Sequence, residues 1–124
     1  MKWDGVNKRR FLRTKYPFTV HIQAPEKEAI SAYTEDLSEG GLKVTLKARL
    51  DVSSLVGLEI FLEQEPVKCR SKVIWVKERS SEYLEGVILY DTGLEFFQLS
   101  SADKTAIREK VKEIEASRAE NENV

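Results

Sequence analysis

Two arginines four apart, Arg9 and Arg13, and the run Asp36-Leu37-Ser38-Glu39-Gly40-Gly41 hold the residue types in this chain that could do chemistry together. A guanidinium presents a planar fork of donors that fits two phosphate oxygens, or O6 and N7 of guanine, and its flat face stacks on a base. A carboxylate at Asp36 is an acceptor matched to the N1–H and N2–H donors of guanine, a pair that adenine lacks. Ser38 can donate or accept beside it, and Gly40 and Gly41 let backbone approach a ligand with no Cβ in the way. Each run alone has an ordinary meaning: spaced arginines on a basic segment are solvated charge, and Asp-x-Ser-x-Gly-Gly is a turn. In combination they fit a ligand that carries both phosphate and guanine.

The charge distribution supports a local anionic partner. The chain has 124 residues and a net charge of −1. Residues 1–22 carry Lys2, Lys8, Arg9, Arg10, Arg13 and Lys15 against Asp4 alone, a net of +5, so the rest of the chain sums to −6. A basic arm on an acidic body suits one bound anion, whereas a nucleic-acid domain would be basic throughout. The length fits a single domain with a modest core. No apolar run approaches a membrane span, and the first residues lack the apolar stretch of a signal peptide. The single cysteine, Cys69, cannot pair internally, which makes a reducing, cytoplasmic setting the expectation.

Hydrophobic periodicity places the motifs on elements. Residues 1–16 lack either period and read as a flexible basic arm pivoting at Gly5. After Pro17, Phe18, Val20 and Ile22 alternate with polar residues as a half-buried strand that Pro25 ends. A weaker strand follows near 29–36, and Gly40-Gly41 turns the chain, glycine tolerating a positive φ. Leu42, Val44 and Leu46 alternate again, then Leu58, Ile60 and Leu62, with Phe61 the exception. In the strand at 67–77, Val67, Cys69, Val73 and Trp75 share one face. Segments 83–90 and 93–97 read as two strands around a hairpin turn at Asp91-Thr92-Gly93. Ser100 with Asp103 three places on is a capping signal, and Ile107, Val111 and Ile114 form one helical stripe. The expectation is an all-β fold with a C-terminal helix: a six- to seven-stranded antiparallel barrel over 17–99, a helix over 100–118 that docks its stripe on the barrel, and a frayed tail at 119–124. Closure removes the exposed edges, so the domain is expected to be a monomer.

Other residue types lead to bland roles. Trp75 and Cys69 read as core, and His21 lies opposite Phe18, Val20 and Ile22 on the solvent face. One histidine and one cysteine cannot make a usual zinc site. A calcium loop starting at Asp36 would place Lys47 where a bidentate glutamate is required, so no metal is expected. A nucleophile elbow, a phosphate loop, H-E-x-x-H and a second histidine are all missing, which argues against an enzyme.

The sequence resembles the PilZ domain family over about residues 8–115. The resemblance rests on Lys8-Arg9-Arg10-Phe11-Leu12-Arg13, a gap of 22 residues, then Asp36-Leu37-Ser38-Glu39-Gly40-Gly41-Leu42, the strand Val73-Ile74-Trp75-Val76, and Gly93-Leu94-Glu95-Phe96-Phe97-Gln98-Leu99-Ser100 entering the helix. It implies a six-stranded barrel that binds the bacterial second messenger cyclic di-GMP (c-di-GMP) and couples it to motility, exopolysaccharide synthesis or virulence through a downstream protein. Arg9 and Arg13 would be the arginines of the family's RxxxR motif, and Asp36, Ser38 and Gly41 the named positions of [D/N]xSxxG. Arg10 and Gly40, inside the same runs, complete the expected ligand set. No cofactor, membrane or nucleic acid is implied. An interaction domain with an idle nucleotide site is the alternative, and a small nucleic-acid-binding barrel a weaker one, since Phe11 and Tyr16 alone among the aromatics lie near the basic cluster.

Overall fold

The structure is a computed structural model that describes residues 11–63 and 65–122. Lys8, Arg9, Arg10 and the Gly5 pivot lie outside the described residues. Among the described residues, seven strands and one helix follow in chain order: β1 (Arg13–Thr14), β2 (Thr19–Gln23), β3 (Ile30–Ser38), β4 (Gly41–Leu46), β5 (Leu55–Phe61), β6 (Pro66–Ser80), β7 (Ile88–Gln98) and α1 (Ser101–Glu122). All pairings are antiparallel. Six strands close a circuit, β3-β2-β5-β6-β7-β4, through the β3–β4 pairing, and β1 adds a short seventh beside β3. The expected barrel is therefore present.

Period-2 alternation fills the barrel. Val20 and Ile22, Leu42, Val44 and Leu46, Val56, Leu58 and Ile60, with Val67, Cys69, Val73 and Leu94, point inward and are buried. Phe61 turns outward, where its ring meets His21 edge-on at 4.8 Å. Burial pushes the Cys69 thiol up to about 12, with nearby Asp103 adding to it, so the thiol stays a neutral hydrophobe. The helix closes one end: Ile107 and Val111 join the same core and Ile114 packs against it. Ser100 Oγ accepts the Asp103 backbone N–H at 3.1 Å, the cap read from the sequence.

Four expectations need correction. Residues 13–14 of the arm are a strand, not flexible chain, because β3 offers an edge for them to pair with. The helix continues to Glu122 instead of fraying at 119, its late turns holding good helix formers and an Arg118–Glu115 pair at 3.1 Å. Asp91-Thr92-Gly93 is not a turn but the interior of β7, and the hairpin turn lies at 81–87, where Gly86 takes φ 78°. Asp91 is held there as a strand residue by Arg79 of β6 at 2.9 Å and by Thr45 of β4 at 2.7 Å. Trp75 does not join the inward row. A bulge between Val73 and Trp75 pairs Val73 with inward Leu94 but Trp75 with Gly93, so the indole lies on the opposite face and covers the glycine.

Two outcomes follow from these contacts. A Cβ on Gly93 would sit 2.2 Å from Trp75 Nε1. Gly93→Ala should therefore cost about 1–3 kcal/mol in urea unfolding, and most of that loss should vanish in a Trp75→Ala background; an undiminished loss would place the strain elsewhere. Asp91 is buried, which raises its carboxyl, but the hydrogen bonds from Arg79 and Thr45 outweigh burial and leave it below its ordinary value. A depressed folded pKa gives stability that is present above the unfolded value, about 3.9, and lost as pH falls through the folded one. Asp91→Asn should flatten that acid limb, and identical pH dependence in both proteins would contradict the assignment.

Candidate functional site

The site is built where the chain passes β3 twice. β1 and β2 lie in succession along the same edge of β3, Arg13 opposite Ser38 and Thr14 opposite Leu37, then Thr19 opposite Tyr33. Between them the ladder is kept by a side chain: Thr34 Oγ1 accepts the Phe18 N–H at 2.9 Å and donates to the Tyr16 carbonyl at 3.2 Å. Two motifs 22 residues apart in sequence thus become neighbours.

Arg13 faces Asp36 with Nη1 3.7 Å from Oδ2, and the two side chains are 40% and 11% exposed. That is an ion pair beyond hydrogen-bond length. Arg13 Nη1 is itself buried and donates to no acceptor among the described residues. Asp36 follows a bulge in β3 and stands opposite Lys43. Ser38 Oγ accepts the Gly40 N–H at 3.1 Å and closes the turn; the Gly40 carbonyl accepts the Phe96 N–H of β7 at 3.1 Å.

The glycines serve a different purpose from the one expected. Among the described residues only Glu26, Ser53 and Gly86 have positive φ, so neither Gly40 nor Gly41 is needed for a left-handed backbone. They are needed for space. A Cβ on Gly41 would lie 2.2 Å from the Leu94 carbonyl oxygen, and one on Gly40 would lie 2.9 Å from the Phe11 ring. Phe11 therefore lays its ring on the turn and ties the arm to it. Of the expected ligand set, Arg13, Asp36, Ser38, Gly40 and Gly41 are brought together, while Arg9 and Arg10 fall outside the described residues.

Four residues near this point, Thr14, Arg108, Glu115 and Arg118, carry no signal in the sequence. Thr14, buried, donates to Glu115 Oε2 of α1 at 2.7 Å, a contact across 101 positions. Arg118 donates to Glu115 Oε1 at 3.1 Å. On the other side of the turn, Glu39 pairs with Arg108 of α1 at 3.4 Å. A cavity of about 740 Å³ opens between β1 and α1 beside Arg13. A smaller one of about 290 Å³ lies at the turn between Phe11, Gly40 and Phe96. Among the described residues, no group of histidine, cysteine, aspartate and glutamate is placed to hold a metal ion, and no helix is long and apolar enough to cross a membrane.

Six-stranded closure, the extra strand on β3 and the helix over the barrel end define the class of fold, and comparison with known proteins identifies it. The family model described as PilZ domain matches residues 7–113. The chain belongs to the PilZ domain family. Among solved structures it is similar to the PilZ domain, with c-di-GMP, of YcgR from Escherichia coli, at TM-score 0.73 and 16% identity over 94% of this chain and 98% of that one. It is similar to the Bacillus subtilis inhibitor of motility MotI/DgrA, at TM-score 0.74 and 18% identity over 89% of this chain and 52% of that one. The MrkH–c-di-GMP complex of K. pneumonia matches at TM-score 0.69 and 19% identity, over 90% of this chain and 55% of that one. At these identities the likeness is one of fold, and the chain spans about half the length of MotI/DgrA and MrkH. No curated protein sequence matches it.

The two glycines separate cleanly in a stability measurement. Gly41→Ala drives a methyl into backbone and should cost about 3 kcal/mol or more. Gly40→Ala meets only the movable Phe11 ring and should cost less than about 1 kcal/mol. Equal losses would show that close approach to β7 is not what requires glycine at position 41.

Proposed function

We propose that this chain is a c-di-GMP receptor that binds the dinucleotide between its arginine arm and the Asp36–Gly41 turn. The observation that carries this reading is the alignment of Arg13 with Ser38 and Asp36 across β1 and β3. The buried Arg13 Nη1 has a donor to spend, and its pairing with Asp36 at 3.7 Å is loose enough to yield to a better acceptor. The YcgR and MrkH structures of similar fold contain c-di-GMP, which supports the same ligand here.

In this reading Arg13 turns its fork to phosphate or to the Hoogsteen edge of guanine, with Arg9 and Arg10 adding charge from the arm. Asp36 accepts from guanine N1–H and N2–H. Ser38 keeps its hydroxyl proton to donate, because its oxygen serves Gly40 as acceptor only. Gly40 and Gly41 hold the turn flat against Phe11 and β7 and so keep Asp36 and Ser38 in place for the ligand. The chain acts by binding, with no catalysis. Cytoplasmic placement and a monomeric state belong to the same reading, supported by the lone thiol Cys69 and by a barrel that closes its own edges.

Signalling to a downstream protein goes through α1. The helix touches both halves of the site, Thr14 through Glu115 and Glu39 through Arg108, so a ligand that draws β1 and the turn together changes the surface around the helix.

Calorimetric titration with c-di-GMP, with cyclic di-AMP and GTP as controls, tests the proposal. Selective binding is expected. Arg13→Ala removes charge-assisted hydrogen bonds worth about 1.5–3 kcal/mol and should weaken affinity about 10- to 150-fold. Asp36→Ala should erode selectivity against cyclic di-AMP more than it erodes affinity. No heat and no thermal shift near ~100 μM ligand, a concentration at which even a weak site with Kd of about 10 μM would be nearly filled, would leave an interaction domain with an idle site.

A further inference from the structure

We propose that the cavity between β1 and α1 is an anion subsite of this ligand site, in which Arg118 takes a phosphate oxygen that Glu115 replaces in the free protein. The proposal rests on the receptor reading above and extends it to residues that lie in neither sequence motif.

The cavity holds about 740 Å³, within the range of small-molecule sites, and Arg13 forms part of its wall. It is therefore continuous with the guanidinium that faces Asp36. Among the described residues, three cations, Arg13, Lys15 and Arg118, line it against one carboxylate, Glu115. On a body that is acidic outside its first residues, such a concentration of positive charge around a concavity favours an anion. Tyr16 adds a half-exposed ring, braced against Phe18 with the centroids 4.9 Å apart, that offers a flat face to a base.

Glu115 already behaves as an internal anion in this cavity. Its Oε2 accepts from Thr14 Oγ1 at 2.7 Å. Its Oε1 accepts from Arg118 Nε at 3.3 Å and Nη2 at 3.1 Å. These are the contacts that a phosphate with two free oxygens would make with a hydroxyl and a guanidinium. Thr14 is fixed in turn, buried and accepting the Tyr16 N–H at 3.2 Å. The two oxygens have separate partners, so Arg118 can leave Oε1 while Glu115 stays hydrogen-bonded to Thr14. The Glu115–Arg118 pair is an exposed i,i+3 contact, with the Arg118 side chain 64% exposed, and such pairs hold weakly. A doubly charged phosphodiester ligand with one phosphate at Arg13 has a second phosphate to satisfy, and Arg118 is the planar fork on the far wall of the same cavity.

The test is calorimetric titration with c-di-GMP of four full chains: the wild type, Arg13→Ala, Arg118→Ala and Glu115→Gln. Arg118 is exposed and is not part of the buried Ile107–Val111 stripe, so its removal leaves that stripe intact, and thermal unfolding confirms the fold. Arg118→Ala should weaken binding about 10-fold, and Arg118→Lys, which keeps charge but loses the fork, should recover only part of it. Glu115→Gln keeps an acceptor for Thr14 but removes the competing charge, and should tighten binding severalfold. The opposite signs separate a subsite from a clasp that merely holds β1 in place, because loss of a clasp would weaken both variants. Wild-type affinity in Arg118→Ala, or weakening in both variants, overturns this proposal while Arg13→Ala still tests the main site. No binding by the wild type overturns the receptor reading and this one with it.

Discussion

Closure of the barrel at β4 is the constraint on which the rest depends. β4 must pair with β3 on one side and with β7 on the other, and it follows β3 after a turn of only two residues, Glu39 and Gly40. The strand therefore enters the sheet with no slack. Gly41 is its first residue, and there the β7 backbone passes so close that a methyl would sit 2.2 Å from a carbonyl oxygen. The seam fixes the turn, and the turn fixes Asp36 and Ser38 at the end of β3. Because β2 covers only the first half of the β3 edge, the second half is left for β1, and Arg13 arrives beside them as a consequence. The candidate site lies at the closing seam, where backbone is rigid and a neighbouring edge is open to the arm.

Two arginine–carboxylate pairs in this barrel show how geometry divides structural from responsive charge. Arg79 meets Asp91 at 2.9 Å, and the single proton of the Thr45 hydroxyl is shared between the same carboxylate and Glu35. That network joins β3, β4, β6 and β7 and has good partners on every side. Arg13 meets Asp36 at 3.7 Å with a buried donor nitrogen left over. Exchanging the first pair for a ligand would break several good hydrogen bonds. Exchanging the second breaks none between the two side chains, and a phosphate or a guanine edge would gain charge-assisted bonds. The same residue types therefore hold the fold at one place and, in the proposed reading, leave Arg13 a donor for the ligand at the other.

Much of this was legible in the sequence, and what was not has identifiable causes. Alternation in 18–22, 42–46 and 58–60 gave the inward rows correctly because no bulge falls within those segments themselves. The capping serine and the Ile107–Val111 stripe were equally plain. Turn chemistry misled where a strand used turn residues for packing: Asp91 and Gly93 look like a hairpin, but one anchors Arg79 and the other makes room for Trp75. A bulge also reverses facing, and no periodicity shows it, so Trp75 was assigned to the core with Val73. At the site the motif residues were readable and their neighbours were not. Thr14 and Glu115 meet across 101 positions, and only the docking of α1 brings them together.

That docking has an energetic consequence for any ligand at the seam. An arm without order must give up conformational entropy of about 1–2 kcal/mol for each residue it fixes. Here part of that cost is met before ligand arrives, because Arg13 and Thr14 already pair with β3, Phe11 rests on Gly40, and Glu115 holds Thr14. Arg13 therefore presents its fork from a fixed backbone instead of from free chain. Preorganisation of this kind raises affinity by lowering what binding must spend, without adding a contact to the ligand. It also gives a charged side chain on a C-terminal helix a part in the proposed site at the N-terminal third of the chain: through Thr14 the helix sets the starting position of the strand that carries the arginine.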